Sequence, residues 1–202
     1  MDLEQLSERM GRFIASLAGT DGPLLKARLQ GLISAFPFNE YEYSLMFLMN
    51  RQVITFEEYE SLRDEYVSAN RYLNLFELSP RVFGEIWGHK HIIDLDSRFK
   101  RASKELDSNY GGQYDLWLDG IRIEVKAARS INTKQRGGLV SKGLRFGSTA
   151  PFWMNYQQLK FDTCDVFVLI GVWTDQIRYW VLSKAEAESN RYLSHQHRGG
   201  LE

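Results

Sequence analysis

Residues 114–126, with the sequence YDLWLDGIRIEVK, constrain the fold more tightly than any other segment of this chain. The pair Asp119-Gly120 separates two runs rich in apolar residues, which is the strongest short-range signal for a β-hairpin with a two-residue turn. Leu118 should then pair with Ile121. Side chains alternate between the faces of a strand, so one face of the hairpin should be apolar apart from one phenol, and burial of that face would fix the register. The face comprises Tyr114, Leu116, Leu118, Ile121, Ile123 and Val125.

The opposite face of the same hairpin concentrates charge. Counting outward from the turn sets Asp115 opposite Glu124, and Lys126 points the same way as Glu124. Like charges directly opposed in a sheet destabilise it unless something offsets them. Mg²⁺ is suited to that, because it takes carboxylate oxygens, waters and phosphate oxygens, while the lysine can position a water or neutralise charge on a phosphate. The alternative is an exposed face with a Glu–Lys pair and an unrelated Asp.

An Asp, a short gap and Glu-x-Lys on a hairpin resemble the PD-(D/E)xK nuclease superfamily, which includes many type II restriction endonucleases and some repair and recombination nucleases. In that family the Asp and Glu bind Mg²⁺, with Mn²⁺ as a substitute, and the Lys assists the attacking water. By position, the resemblance implies these roles for Asp115, Glu124 and Lys126. Tyr114 departs from the pattern, since it stands where the family name has Pro.

Residues 1–78 are expected to form a helical N-terminal region. Apolar residues recur at helical spacing over 3–17 and 24–36 and from about residue 39, and Thr55 with Glu58 makes a capping box for a further helix. Residues 1–80 carry 12 acidic and 7 basic side chains, a balance of −5. Packing on the rest of the chain, dimerisation and contact with a partner all remain open for this region.

Residues 79–194 are expected to form the nuclease core. Ser79-Pro80 is a helix start. The resemblance implies that the helix before the catalytic hairpin supplies a further metal-binding carboxylate, for which Glu85 is the candidate, the alternative being an ordinary solvated side chain. His89 and His91 are interpreted as surface or DNA-facing residues. After the hairpin we predict a helix over 151–160, a central strand over 165–173, a neighbouring strand over 177–182 and a last helix from 184 to about 193. The order resembles the restriction-endonuclease core, an α/β (α+β) fold with a central mixed sheet flanked by helices.

A basic segment follows the hairpin. Residues 122–145 contain seven basic side chains against Glu124 alone, a balance of +6, although the whole chain has a net charge of −1. We expect this segment to contact DNA phosphates, the alternative being a solvated flexible loop. The candidate DNA-binding residues are Arg129, Lys134, Arg136, Lys142 and Arg145. A glutamine after the Glu-x-Lys strand also occurs in the nucleases that this chain resembles, and the resemblance makes Gln157 a candidate for supporting the metal ligands.

Composition limits the class of protein. The single Cys164 rules out an intramolecular disulfide and suits a reducing compartment. We see no signal peptide and no apolar run near membrane-spanning length, and we expect a soluble cytoplasmic protein without a membrane partner. Residues 195–202 are expected to be a flexible tail, whose final Leu201-Glu202 resembles a cloning remnant.

Together these expectations describe a Mg²⁺-dependent DNA endonuclease. The resemblance implies a type II restriction enzyme that cuts double-stranded DNA as a homodimer, with a companion DNA methyltransferase encoded nearby. A repair or phage-type nuclease that nicks or trims DNA is the alternative within enzymes. A non-catalytic DNA-binding module with a nuclease fold is the alternative outside them, and an interaction protein organised by the helical N-terminal half is a third class.

Overall fold

The protein is described here from a computed structural model. The structure describes residues 45, 46 and 48–191, with isolated positions 12, 15, 19, 20 and 23. The chain divides into two compact units, residues 1–37 and 38–202, and the account below concerns the second. The predicted helices over 3–17 and 24–36, most of the one from 39, and the tail over 195–202 lie outside the described residues. The boundary at 78/79 stays a prediction.

The described fold is mixed α/β, built on a five-stranded mixed sheet flanked by helices, as the sequence predicts. Its strand order is β1-β2-β3-β6-β7. Strands β3 and β6 run parallel, whereas the other neighbours are antiparallel. A separate two-stranded sheet pairs β4 with β5. The strands are β1 (Lys100–Arg101), β2 (Leu116–Leu118), β3 (Ile121–Arg129), β4 (Ile131–Asn132), β5 (Phe152–Trp153), β6 (Val166–Val172) and β7 (Ile177–Ser183).

The predicted hairpin is confirmed. Leu118 pairs with Ile121, and Leu116 pairs with Ile123. Both turn residues have positive φ, 47° at Asp119 and 94° at Gly120, which matches the handedness that two-residue hairpin turns require. Asp and Gly tolerate this conformation better than branched residues do, so the turn chemistry explains why the chain reverses here.

Strand β6 lies in the sheet between β3 and β7, as expected from its continuous apolar sequence. Phe167 and Ile170 have no exposed surface, and they point to opposite faces of the sheet. Gly171 leaves room for the indole of Trp180 on β7, where an added Cβ would lie 2.7 Å from the ring. Trp180 of the edge strand β7 therefore packs closely against β6.

Helical segments surround the sheet. They are α1 (Phe56–Ala69), a 3₁₀ turn (Leu73–Phe76), a continuous helical segment over residues 80–95, α3 (Leu139–Lys142), a 3₁₀ turn (Phe161–Thr163) and α4 (Lys184–Glu188). The segment over 80–95 is a π-helical turn (Val82–Gly88) that continues into α2 (His89–Leu95).

Three predicted helix starts are confirmed by their caps. Thr55 and Glu58 form the predicted capping box of α1, with each side chain bonded to the other residue's backbone N–H. Ser79 accepts a hydrogen bond from the Val82 N–H at the start of the segment over 80–95. Ser183 caps α4 through a capping box with Glu186. Side-chain oxygens meet otherwise unpaired N–H groups at all three starts, which is why the helices begin there.

The core occupies both faces of the sheet. One cluster packs the segment over 80–95 against β3 and β6, through Phe83, Ile92, Val125 and Ile170. A second cluster on the other face includes Phe161 and Phe167. Burial on both sides stabilises the strands that position the residues described next.

Three expectations are wrong in detail. Tyr114 lies in the second cluster rather than beside Leu116, because the regular strand begins only at Leu116 and the Tyr114 hydroxyl reaches Asp107. The predicted helix over 151–160 is absent among the described residues, since Phe152 and Trp153 pair with β4 instead. Helix α4 ends at Glu188, short of the predicted residue 193. Within the described part of the chain, no helix is long and apolar enough to cross a membrane.

Candidate active site

A cleft of about 900 Å³ opens beside strand β3. Its position follows from unequal strand lengths. Strand β3 has nine residues, but the three-residue β2 pairs with it only over 121–123. The remaining part of β3, residues 124–129, lines the cleft together with Asp115 and part of the helical segment over 80–95. The predicted residues Asp115, Glu124 and Lys126 therefore share one opening.

Asp115 lies just before β2, where the backbone bends out of the regular strand. Its N–H donates to the Ile123 carbonyl at 3.0 Å, although Ile123 already pairs with Leu116, so this bond lies outside the regular register of the hairpin. Its Oδ2 accepts a hydrogen bond from the Val125 N–H at 2.8 Å. The carboxylate is thus fixed against β3 by the backbone of the strand that carries the other two residues.

Glu124 is buried, with 2% of its surface exposed, and its Oε1 lies 2.7 Å from the Lys126 ammonium. The Lys126 side chain remains 23% exposed and lines the cleft. Glu124 and Lys126 are two residues apart on one strand, so they point to the same face. The pair therefore joins a buried carboxylate to an amine that solvent and ligands can reach.

The two carboxyl groups differ in their electrostatics. Burial raises the pKa of Glu124, and the neighbouring charge of Asp115 raises it further against the lowering effect of Lys126. Burial also acts to raise the pKa of Asp115, but His89, the Val125 N–H and Lys126 together outweigh it, so that this pKa is lowered. The site thus holds one stabilised carboxylate beside one whose negative charge is costly, and a cation at this point would relieve that cost.

The donor set fits a hard divalent cation bound mainly through water and phosphate. Among the described residues, no group of three or more His, Cys, Asp and Glu side chains could hold a metal ion by itself. Mg²⁺ commonly uses only one or two carboxylates and keeps several waters, so Asp115 and Glu124 meet this pattern. A closed zinc site, which needs four protein ligands, does not fit here.

His89 lies closer to the acidic pair than the sequence indicates. Its Nε2 lies 3.4 Å from Asp115 Oδ1, and its side chain is only 12% exposed rather than on the surface. His91, by contrast, stacks between Trp87 and Tyr179. His89 follows Glu85 by four positions, a spacing that places both on one face of an α-helix, so the helix that offered Glu85 as a candidate offered His89 as well.

Glu85 and Gln157 both line the cleft, but the structure gives them no contact with the acidic pair. Glu85 accepts a hydrogen bond from Arg81 at 2.9 Å, and its side chain is 63% exposed. Gln157 is exposed and lies in the irregular segment after β5. Their proposed supporting roles remain predictions.

The predicted DNA-binding residues separate into two groups. Lys134, Arg136 and Arg145 are exposed and Lys142 is half-buried in α3, and none of these four lines the cleft. Arg145 also contacts Asp175, at 3.7 Å. Arg129 is buried and lines the cleft, so it is not the exposed loop contact that the sequence suggests.

Lys160 and Tyr156 are two further residues of the cleft wall. Lys160 lines it, and its charge acts to lower the pKa of Glu124. Tyr156 lines it as well, with a hydroxyl whose pKa is raised by burial. Nothing in the sequence marks these residues as part of the site, because the segment that carries them is irregular.

The comparisons add no relative. No family model matches this chain, and no curated protein or solved structure matches it.

Proposed function

We propose that this protein is a Mg²⁺-dependent DNA endonuclease of the PD-(D/E)xK type. The observation that carries the proposal is the buried Glu124 set beside Asp115 and paired with Lys126 in one open cleft. Two opposed carboxylates are costly in a sheet, and a divalent cation bound for catalysis accounts for that cost. The resemblance of Asp115, Glu124 and Lys126 to the nuclease motif supports the same assignment.

The proposed roles follow from the environment of each side chain. Asp115 and Glu124 would hold Mg²⁺, or Mn²⁺ in its place, and the ion when bound would supply Lewis-acid stabilisation of charge on the phosphate. Lys126 orients the water that attacks the phosphodiester, and it balances charge that develops on the phosphate. His89 holds Oδ1 of Asp115 from the side of the helix, and the Val125 N–H holds Oδ2 from the side of strand β3.

The walls of the cleft suit an extended, charged substrate. Polar and basic groups line it, among them Lys160, Gln157 and Gln158, beside the aromatic rings of Tyr110 and Trp153. Double-stranded DNA is the substrate that we propose, with the exposed basic residues Lys134, Arg136 and Arg145 meeting phosphates outside the cleft. The assignment to a type II restriction enzyme, working as a homodimer in the cytoplasm with a companion methyltransferase, belongs to the same proposal.

Incubation with DNA tests this proposal. Unmethylated plasmid and phage DNA are incubated with the protein in Mg²⁺, Mn²⁺ or EDTA, beside Lys126→Ala and the surface control Lys104→Ala, whose exposed side chain does not line the cleft. Discrete metal-dependent bands that only Lys126→Ala loses would support a site-specific endonuclease. A metal-dependent smear or nick with the same mutant pattern would support the repair or phage-type alternative. DNA binding without cleavage under all conditions would refute the enzyme and leave a binding module.

A further inference from the structure

Arg129 ends strand β3 and occupies an unusual environment for a cation. It is 9% exposed, yet it lines the same cleft as Lys126, three residues earlier on the strand. Arg129 follows Lys126 by three positions, an odd step along a strand, so it points to the opposite face of the sheet from Lys126. Three residues of strand span about 10 Å. Arg129 therefore marks a second position in the cleft, distinct from the one beside the acidic pair.

The guanidinium of Arg129 lacks an acidic partner among the described residues. Its Nη2 donates to the Leu78 carbonyl at 2.6 Å, and its carbon lies 3.9 Å from the centre of the Phe83 ring. Its Nε is buried without any hydrogen-bond partner, and the described residues supply none for Nη1. Burial lowers its pKa to about 10, which is the direction expected when a charge is removed from water without compensation.

An uncompensated buried charge is expensive, and proteins normally meet it with a counter-ion or a ligand. The aromatic contact with Phe83 and the bond to Leu78 hold the planar group in place while leaving donors unused. Arginine presents its donors as a rigid fork that matches the oxygens of a phosphate. We infer that Arg129 binds a phosphate group that is a different one from the phosphate under attack beside Asp115 and Glu124.

The identity of the molecule that carries this phosphate follows from the proposed nuclease function, and this part of the inference rests on that function. For a nuclease it is a backbone phosphodiester of the DNA that flanks the scissile position, so that Arg129 sets the register of the strand in the cleft. A purely structural Arg129 would only tie the segment around Leu78 to the sheet. The two roles differ in one measurable respect, because only the first requires an anion.

Inorganic phosphate tests the anion site without metal and without cleavage. The unfolding temperature of wild type, Arg129→Met, Arg129→Lys and Arg98→Met is followed in EDTA over a phosphate titration, with chloride at matched ionic strength. Arg98 is the control because its side chain is 71% exposed and it does not line the cleft. We expect phosphate to stabilise wild type and Arg98→Met, not Arg129→Met, and Arg129→Lys only weakly. A phosphate-dependent rise that Arg129→Met retains, or no rise in wild type, would overturn the inference.

DNA binding distinguishes the sources of the phosphate. The affinity of the same variants for a fluorescein-labelled duplex in EDTA is measured at several salt concentrations. We expect Arg129→Met to bind about tenfold more weakly, with a slope of log affinity against log salt reduced by about 0.9, as for one lost phosphate contact. Loss of the phosphate effect with unchanged DNA binding would refute DNA as the source while keeping the anion site. Failure of the nuclease proposal would appear separately, as absence of cleavage by wild type.

Discussion

Two carboxyl groups stand side by side in the cleft, but their surroundings favour opposite charge states. Asp115 is held by the Val125 N–H and His89, and its pKa is lowered despite burial. Glu124 is buried beside Asp115, and its pKa is raised even though Lys126 lies against it. The same difference that suits them to share a cation also gives their contributions to stability opposite signs.

Neutralising Asp115 should therefore lower the stability of the folded protein, whereas neutralising Glu124 should raise it. A lowered pKa in the folded state stabilises above the unfolded pKa of Asp and is lost as the pH falls through the folded value. A raised pKa in the folded state contributes stability that is fully present below the unfolded pKa of Glu. That contribution is lost as the pH rises through the folded pKa. At pH 7 in EDTA we expect Asp115→Asn to unfold at a lower temperature than wild type and Glu124→Gln at a higher one, with about 2–4 °C for each kcal/mol.

Thermal unfolding by circular dichroism over pH 3–8 measures both effects. The gain in Glu124→Gln should shrink as the pH falls through the raised pKa of Glu124 in the folded protein, because wild type then becomes protonated, and it should be gone at the ordinary value of 4.5. Lys126 keeps 23% of its side chain exposed, so losing its partner does not leave it buried and unpaired. A lower unfolding temperature for Glu124→Gln at pH 7 would show that the buried carboxylate is not under electrostatic strain.

Lys126 should matter to cleavage much more than to DNA binding. It acts on the attacking water and on charge that develops at the phosphate, so its loss should slow single-turnover cleavage by about 100-fold or more. Without metal, the Lys126 ammonium is already paired with Glu124, so its loss should change DNA affinity little, and binding of Lys126→Ala in EDTA should stay within a few fold. Cleavage by Lys126→Ala at the rate of the surface control Lys104→Ala would remove Lys126 from the mechanism.

Among the elements, the hairpin is where sequence reasoning succeeded. Its register depends on local turn chemistry and on alternation of side chains, and both can be read from Asp119-Gly120 and its flanks. The continuous apolar run of β6 was predictable in the same way. Elements whose form depends on distant partners could not be predicted in this way. The chain after Pro151 becomes a strand only because Ile131 and Asn132 lie opposite it.

A glycine substitution tests how far the turn holds the site together. Gly120 has φ of 94°, where a side chain is strained, so Gly120→Ala should destabilise the protein by about 1–2 kcal/mol. Gly138→Ala is the matched control, because Gly138 has φ of −71° and an added Cβ meets nothing within 4 Å. Urea unfolding compares the two, and equal stability of both variants would mean that the turn does not fix the hairpin.

Individual site residues were predictable only where the hairpin placed them. Asp115, Glu124 and Lys126 follow from pairing and alternation, whereas His89 joins them through the packing of a helix that precedes the hairpin by many residues. The burial of Arg129 likewise depends on Phe83 and Leu78. Sequence alone shows a basic residue at the end of a strand and cannot show that its surroundings are closed.

At the scale of the whole molecule, one open cleft would serve one DNA strand. Cutting both strands at one site suits two copies related by two-fold symmetry. We therefore expect light scattering after gel filtration to give twice the chain mass of 23.5 kDa. A monomeric mass at the protein concentration used for cleavage would contradict the homodimer and favour the nicking alternative.

Titration with Mn²⁺, with the free ion followed by electron paramagnetic resonance, tests the central claim most directly. Wild type should bind Mn²⁺, and Asp115→Asn and Glu124→Gln should each bind it at least about tenfold more weakly, since each loses a carboxylate ligand. Lys126→Ala is the matched control and should bind as tightly as wild type or more tightly, because its ammonium occupies the place of a counter-charge beside Glu124. No binding by wild type, or equal binding by all four proteins, would contradict the account.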